Sequence, residues 1–270
     1  MKYDKDNKLR LFEICAGYGS QAIALKRLKN LYQDFDYELV GYAEFDPDPD
    51  ANPDINKQPA VIAHDALHPE CIGKNYGDIT KIDWKTLPDF DLLTYSTPCQ
   101  SVSQAGLQHG FTEGSGTRSS IIWNVRDCVK VKRPKFLMLE NVKAMVSGKF
   151  VGMFNLWQRE LERLGYRNFA QVLNSKDYGV PQNRERIFLV SIRIDGNEEP
   201  KFFFPKPIPL ELCLADVLDR NVEEKYFLSD DMLARFCEKS LEEESVPGIP
   251  FDALKNSDNE DDFDNFFVSG

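Results

Sequence analysis

One cysteine has the strongest claim to chemistry in this chain. Cys99 stands in Thr94-Tyr95-Ser96-Thr97-Pro98-Cys99-Gln100-Ser101-Val102-Ser103. The apolar run Phe90–Tyr95 ahead of it predicts a short buried strand. Pro98 has no N–H to give a sheet ladder and ends that strand. Cys99 therefore falls just past a strand's C-terminal end, the edge at which open parallel α/β sheets hold their ligands. A thiol there is a candidate nucleophile, because thiolate is intrinsically reactive and needs only local positive charge to form. Taken alone, it reads equally as a small buried hydrophobe.

Four further groups have chemistry-bearing types at strand ends. Leu9–Cys15 predicts a strand, Ala16-Gly17-Tyr18-Gly19-Ser20 a tight turn and Gln21–Asn30 a helix. In such a unit the glycines let a ligand approach the backbone and the helix amides face it. Tyr37–Glu44 predicts a second strand ending in an acid, suited to ribose hydroxyls or simply to solvent. Lys135–Glu140 predicts another, with Glu140-Asn141-Val142 placed for acid/base work or as a helix cap. Gln182-Asn183-Arg184-Glu185-Arg186 enters the strand Ile187–Ile194, and arginines two apart share a face fit for phosphate or carbonyl oxygens, or for a surface ion-pair cluster. His64, His68 and Cys71 have metal-like spacing but no fourth ligand, so no metal site is expected.

The elements between these groups alternate strand and helix, with helices expected over Arg118–Lys132 and Val151–Leu164 and a strand over Gly165–Asn174. Gln104–Gly116 carries four glycines and no periodicity, and it reads as a closing loop beside Cys99. The 270 residues, 42% hydrophobic and 29% charged, suffice for one large domain and an appendage. No apolar run reaches membrane-spanning length. Six scattered cysteines without a Cys-x-x-Cys pair fit free thiols in a reducing cytoplasm. The net charge of −11 is concentrated in residues 201–270, which hold 7 Lys+Arg against 17 Asp+Glu. Residues 1–200 are near neutral, so a basic cleft is compatible with them. From Phe202 the chain turns proline-rich, short helices are expected over Leu212–Leu218 and Asp230–Lys239, and Asp258–Asp264 has a disordered composition.

In their order, these segments resemble the DNA cytosine-5 methyltransferases: Ala16-Gly17-Tyr18-Gly19, Glu44, Asp78-Ile79, Pro98-Cys99-Gln100, Glu140-Asn141-Val142 and Gln182-x-Arg184-x-Arg186. The resemblance implies a Rossmann-like methyltransferase fold, a mainly parallel sheet flanked by helices, over residues 1–200, with a linker and incomplete target-recognition region over 201–270. It implies S-adenosyl-L-methionine as cofactor, duplex DNA as partner, no metal, and a bacterial or phage source. Cys15, Ala16, Gly17, Tyr18, Gly19, Glu44, Asp78, Ile79 and Pro98 would line the cofactor site. Within it Gly17 and Gly19 would approach the methionine part, Glu44 the ribose, and Asp78 and Ile79 the adenine. Cys99 would attack cytosine C6, Glu140 would hydrogen-bond and protonate N3, Arg186 would hold O2, and Arg184 would sit at phosphate or thiolate. Gln100, Ser103, Gln104 and Gln182 would contact DNA.

Three departures from the family pattern stand out. Cys15 occupies a position where the family usually has a phenylalanine packed on adenine. Thr97 replaces a residue that is commonly larger. The family's recognition domain and its closing Gly-Asn-Ser-Val-like segment are not visible in residues 195–270. The chain is therefore expected to act alone, to be completed by a second polypeptide that supplies target recognition, or to be a cofactor-binding remnant. The tRNA-directed branch ranks below these, because its Cys-Phe-Thr segment is not seen.

Overall fold

The computed structural model describes residues 2–48, 50–98, 118–197, 199–219 and 221–235. The chain divides into two compact units, Met1–Asp216 and Val217–Gly270. Cys99, Gln100, Ser103, Gln104, the 104–116 loop and the acidic end of the chain lie outside the described residues.

The first unit is built on β1 (Leu9–Ile14), α1 (Ser20–Leu31), β2 (Tyr37–Ala43), α2 (Pro59–Leu67), β3 (Leu92–Tyr95), α3 (Ile122–Lys132), β4 (Phe136–Val142), α4 (Val151–Arg163), β5 (Tyr166–Asn174) and β6 (Glu185–Arg193). The strands form one sheet in the order β2-β1-β3-β4-β6-β5. β2, β1, β3 and β4 are parallel neighbours, and β6 runs antiparallel between β4 and β5.

The strand sequences explain the layering. Leu11 and Phe12 are adjacent in β1 and both fully buried, as a parallel strand covered on two faces requires. Leu11, Leu39 and Tyr42 pack with Ala22 of α1, Val61 of α2 and Cys71. Phe12, Ile14, Leu93, Tyr95, Leu137 and Leu139 pack with α3 and α4 in the other cluster. Those helices present Ile122, Val125 and Val129, and Phe154, Trp157 and Leu161, at helical spacing.

The connectivity positions the site. From β1 the chain moves to one side for β2 and returns to the other for β3, so the strand order reverses at β1. A crevice opens at such a reversal, beyond the strands' C-terminal ends. β6 runs opposite to β4, so its first residues lie at that same edge, with Arg186 opposite Val142.

Beyond β2 the chain makes a single parallel bridge, Tyr42 with Asn75, in which Lys74 O and the Tyr76 N–H bond to Tyr42. Three sequence expectations need correction. The helix expected over Arg118–Lys132 is α-helical only from Ile122, behind a 3-10 turn over Arg118–Ile121. Glu140 does not end its strand, since β4 continues to Val142 against β6. The helix expected over Leu212–Leu218 is a 3-10 turn, Leu214–Val217, where Asp216 Oδ2 accepts the Cys213 N–H at 2.7 Å. That local side-chain bond offers the backbone an alternative to α-helix. In the second unit, a 3-10 turn spans Glu224–Tyr226 and a helix opens at Asp230.

Trp157 is fully buried, donates from Nε1 to the Tyr95 hydroxyl at 3.1 Å and meets Trp123 edge-on at 5.6 Å. Trp157→Ala should lower unfolding free energy by about 3–5 kcal/mol, the cost of a large core cavity. Urea titration followed by circular dichroism checks this, and a loss below about 1 kcal/mol would contradict the packing described.

Candidate active site

The turn after β1 is short and strained. Cys15 takes φ +52°, a left-handed conformation unusual for a residue with a side chain, and its N–H donates to Ala43 O at 2.8 Å. Gly17 and Gly19 follow at φ +56° and +76°, where glycine is at ease. Gly19 caps α1, and its N–H donates to Ala16 O at 2.9 Å. The Gly17 N–H donates to Glu44 Oε2 at 2.7 Å, so the ends of β1 and β2 are joined by a backbone-to-carboxylate bond. Tyr18 points outward and is 56% exposed.

Glu44 is itself held by Asn75, whose Oδ1 accepts the Glu44 N–H at 3.0 Å while its Nδ2 donates to Glu44 O at 3.1 Å. Burial pushes the Glu44 carboxyl above its usual range, against the Gly17 hydrogen bond, which pulls it down. Burial, together with the Glu44 charge, also pushes the Cys15 thiol up, so Cys15 stays protonated and is no rival nucleophile. Burial raises Asp78 too, but the Thr80 N–H at 3.0 Å, the Thr80 hydroxyl at 2.7 Å and Lys81 at 3.3 Å outweigh it and hold the carboxyl low.

Of these groups, Cys15, Glu44 and Asp78 border a cleft of about 730 Å³, lined also by Ala43, Phe45, Pro59, Ala60, Ile79, Pro98, Ile121 and Asn124 among others; Ala16, Gly17, Tyr18 and Gly19 are not among its lining residues. Its volume falls in the range of cofactor sites. It offers a half-buried carboxylate in Glu44 for hydroxyls, an acceptor in Asp78 for an amino group, and apolar walls in Ile79, Pro59 and Ala60 for a flat ring. That donor set fits S-adenosylmethionine.

A second group lies beyond β3 and β4. Tyr95 pairs with Leu139, so Glu140 is the next step of its strand towards the edge. Arg186 Nε lies 3.2 Å from Glu140 Oε1, with both side chains about a quarter exposed at 24% and 22%. Asn141 is buried and donates from Nδ2 to Thr97 O at 2.9 Å, which pins the backbone two residues before Cys99. Arg184 and Gln182 are exposed in the segment before β6 and are not among the residues lining the cleft. Only Arg186 of the two arginines lies in the strand.

Sequence reasoning missed Asn75, the clamp on Glu44, and Phe45, Pro59, Ala60, Ile121 and Asn124 on the cleft wall. No periodicity marks Asn75, since it stands where a strand is reduced to one bridge. Asn141 was legible only as the middle of a motif. No group of three or more His, Cys, Asp or Glu side chains fit for a metal occurs among the described residues.

The C-5 cytosine-specific DNA methylase family matches residues 9–264. The chain belongs to that family. Its members take their methyl group from S-adenosylmethionine. The chain is 36% identical to type II methyltransferase M2.ScrFI of Lactococcus lactis subsp. cremoris, over 84% of its own length and 72% of that protein. It is 30% identical to orphan methyltransferase M.Rho11sI of Bacillus phage rho11s, over 86% of its own length but only 48% of that protein. A Spodoptera frugiperda DNMT2 variant shares the fold, with TM-score 0.59 and 18% identity over 86% of this chain and 65% of that one. No helix among the described residues is long and apolar enough to cross a membrane.

Two outcomes follow from Glu44. Its carboxyl is raised in the fold, so its contribution to stability is present at low pH and is lost as pH rises from the ordinary carboxylate range through the raised value. Relative to wild type, Glu44→Gln without ligand should become progressively more stable between about pH 4 and pH 7. Denaturation at several pH values reads this, and a difference independent of pH would contradict it. Glu44→Ala should weaken S-adenosylmethionine binding by about 1–3 kcal/mol, the cost of leaving buried hydroxyls without an acceptor. Calorimetry showing equal affinities would remove Glu44 from the site.

Proposed function

We propose that the chain transfers a methyl group to C5 of cytosine in duplex DNA, with Cys99 forming a transient bond to C6 of a base turned out of the helix. The observation that carries this reading is the meeting of two groups at one sheet edge. Pro98, next in chain to Cys99, borders the cofactor cleft, and the neighbouring strand presents Glu140 with Arg186 at 3.2 Å. A buried base in a duplex is out of reach of either, so the base must be flipped into the pocket.

The proposed chemistry uses each side chain once. Cytosine C5 is a poor nucleophile. Addition of the Cys99 thiolate at C6 makes C5 enamine-like, while Glu140 donates a proton towards N3 and Arg186 holds O2, so charge developing on the ring is neutralised where it appears. The cofactor supplies an electrophilic methyl group on sulfur, and C5 takes it. A base then removes the C5 proton, its electron pair restores the C5–C6 double bond as thiolate leaves C6, and N3 returns its proton to Glu140. Asn141 positions the segment that carries the nucleophile, through Thr97 O. On this reading Gly17, Gly19, Glu44, Asp78 and Ile79 hold the cofactor, Gln100, Ser103, Gln104 and Gln182 are assigned to DNA contact, and Arg184 to phosphate or the thiolate.

A second reading concerns completeness, and exposed side chains favour it. Phe203 of the first unit is 86% exposed, and Tyr226, Phe227 and Met232 of the second are each more than half exposed. The chain spans about half the length of several relatives it matches. On this reading a further polypeptide covers these residues and supplies the DNA-reading surface, which a segment of net charge −10 over residues 201–270 supplies poorly.

Duplex DNA of mixed sequence carrying 5-fluorocytosine tests the mechanism, since fluorine at C5 blocks the final elimination. With S-adenosylmethionine, the wild type should form a covalent adduct that survives denaturation, and Cys99→Ala should form none and lose methyl transfer while folding normally. Methylation of ordinary duplex without any adduct on the fluorinated one would overturn the covalent route. Neither adduct nor methylation from a folded, cofactor-binding chain would favour the second reading.

A further inference from the structure

We infer that His64 and His68, two buried histidines of the α2 region, are positioning residues that set the height of the Gly17–Gly19 turn and so the affinity for the amino-acid part of the cofactor. The inference rests on the reading of the cleft as the S-adenosylmethionine site.

Both imidazoles are fully buried. The His64 ring stacks on Tyr42 at 3.6 Å and 19°, and the Tyr42 hydroxyl donates to Asp65 Oδ1 at 2.7 Å. His68 leans on His64 with ring centres 4.8 Å apart. The far side of this stack is the cofactor turn itself. A Cβ added to Gly19 would collide with the His68 ring and stand 3.2 Å from Cδ2 of His64. The backbone of Gly19 therefore rests directly on the two rings.

Beneath the turn, Glu13 of β1 is buried and takes the Ala22 N–H of α1 on Oε1 at 3.2 Å. Its Oε2 lies 3.7 Å from His64 Nε2, beyond hydrogen-bond length. None of the four imidazole nitrogens has a hydrogen-bond partner among the described residues. Buried polar atoms without partners cost stability, and a fold tolerates them where position matters more than stability. The rings thus act on Gly19 through shape.

The same helix reaches the other end of the cleft. Gln58, Pro59 and Ala60 at the start of α2 line its wall, and His64 and His68 at the end of α2 carry the turn. One rigid element thereby fixes the spacing between the nucleoside wall and the glycine turn. Residues that act in this way should affect ligands that reach the turn and spare those that do not.

Calorimetry with two ligands tests this. S-adenosylhomocysteine carries the amino-acid part; 5′-methylthioadenosine lacks it. His68→Ala should raise the dissociation constant for S-adenosylhomocysteine about tenfold, equivalent to about 1.4 kcal/mol, and leave that for 5′-methylthioadenosine within about twofold. His68→Phe, which keeps a flat ring under the turn, should retain S-adenosylhomocysteine affinity within about threefold and guards against a simple folding defect. Gly19→Ala should also weaken S-adenosylhomocysteine, and Gly19→Ala combined with His68→Ala should weaken it by less than the product of the two single effects, because the collision is then removed. Glu44→Ala, run alongside, should weaken both ligands. Equal weakening of both ligands by His68→Ala, multiplicative effects of the pair, or no effect of His68→Ala while Glu44→Ala acts, would each overturn the inference. Glu44→Ala without effect on either ligand would overturn the cofactor reading of the cleft and the inference with it.

Discussion

A single hydrogen bond ties the first two strands of the sheet into a site. The Gly17 N–H reaches the Glu44 carboxylate at 2.7 Å, joining the turn after β1 to the end of β2 beside the strand at which the sheet order reverses. The turn that makes this reach must be short, because β1 stops at Ile14 and α1 begins at Ser20. Five residues have to leave a buried strand, present their amides to the crevice and enter a helix. Cys15, Gly17 and Gly19 meet the requirement with left-handed backbone, and a carboxylate takes the amide that no helix or ladder satisfies. The cost falls on Glu44, whose burial raises its carboxyl; Asn75 offsets part of it by fixing the backbone on both sides of that residue.

That constraint explains what was legible in the chain and what was not. The strand-glycine-helix pattern, the second strand ending near Glu44 and the helical spacing in α4 are local, and local pattern placed them within a residue; α3 begins four residues after the expected Arg118, because a 3-10 turn over Arg118–Ile121 precedes it. Asn75 left no signal because a single side chain replaces a ladder beyond β2, and side-chain substitution for a strand leaves no periodic trace. Glu140 was read as a strand end because the partner that prolongs its strand, β6, arrives some 45 residues later and from the opposite direction. Long-range antiparallel pairing of that kind is invisible to any window of neighbouring residues. The Glu140–Arg186 ion pair shares this origin. Their types were suggestive in the sequence, but only the reversal of β6 brings them to 3.2 Å. His64 and His68 were considered as metal ligands because of their spacing, whereas their surroundings make them packing against a backbone turn.

The two halves of the sheet edge are held by different kinds of force. On the cofactor side the contacts are buried or half-buried: Glu13 to Ala22 and Tyr42 against His64 are buried, Gly17 to Glu44 half-buried. Such contacts are costly to break, so the cradle stands ready before a ligand arrives. On the side of the proposed reaction the main contact is the Glu140–Arg186 pair, with each side chain about a quarter open to solvent. An ion pair of that exposure contributes little net stability, on the order of 1 kcal/mol or less.

The difference matches what each side is proposed to do. A cofactor cradle gains by rigidity, because every degree of freedom frozen in advance is one less to freeze on binding. A group that must hydrogen-bond the ring nitrogen of an incoming base has to be free to change partners. In the absence of a base, Arg186 satisfies the Glu140 carboxylate; a base entering between them would take both, its N3 accepting from the Glu140 carboxyl once that carries a proton and its O2 accepting from the guanidinium. The pair thus keeps two charged groups solvated and paired at small cost until the ligand replaces each partner with a better-aligned one. The Asn141 amide on Thr97 O does for the nucleophile's segment what Asn75 does for Glu44: it fixes backbone, not side chain.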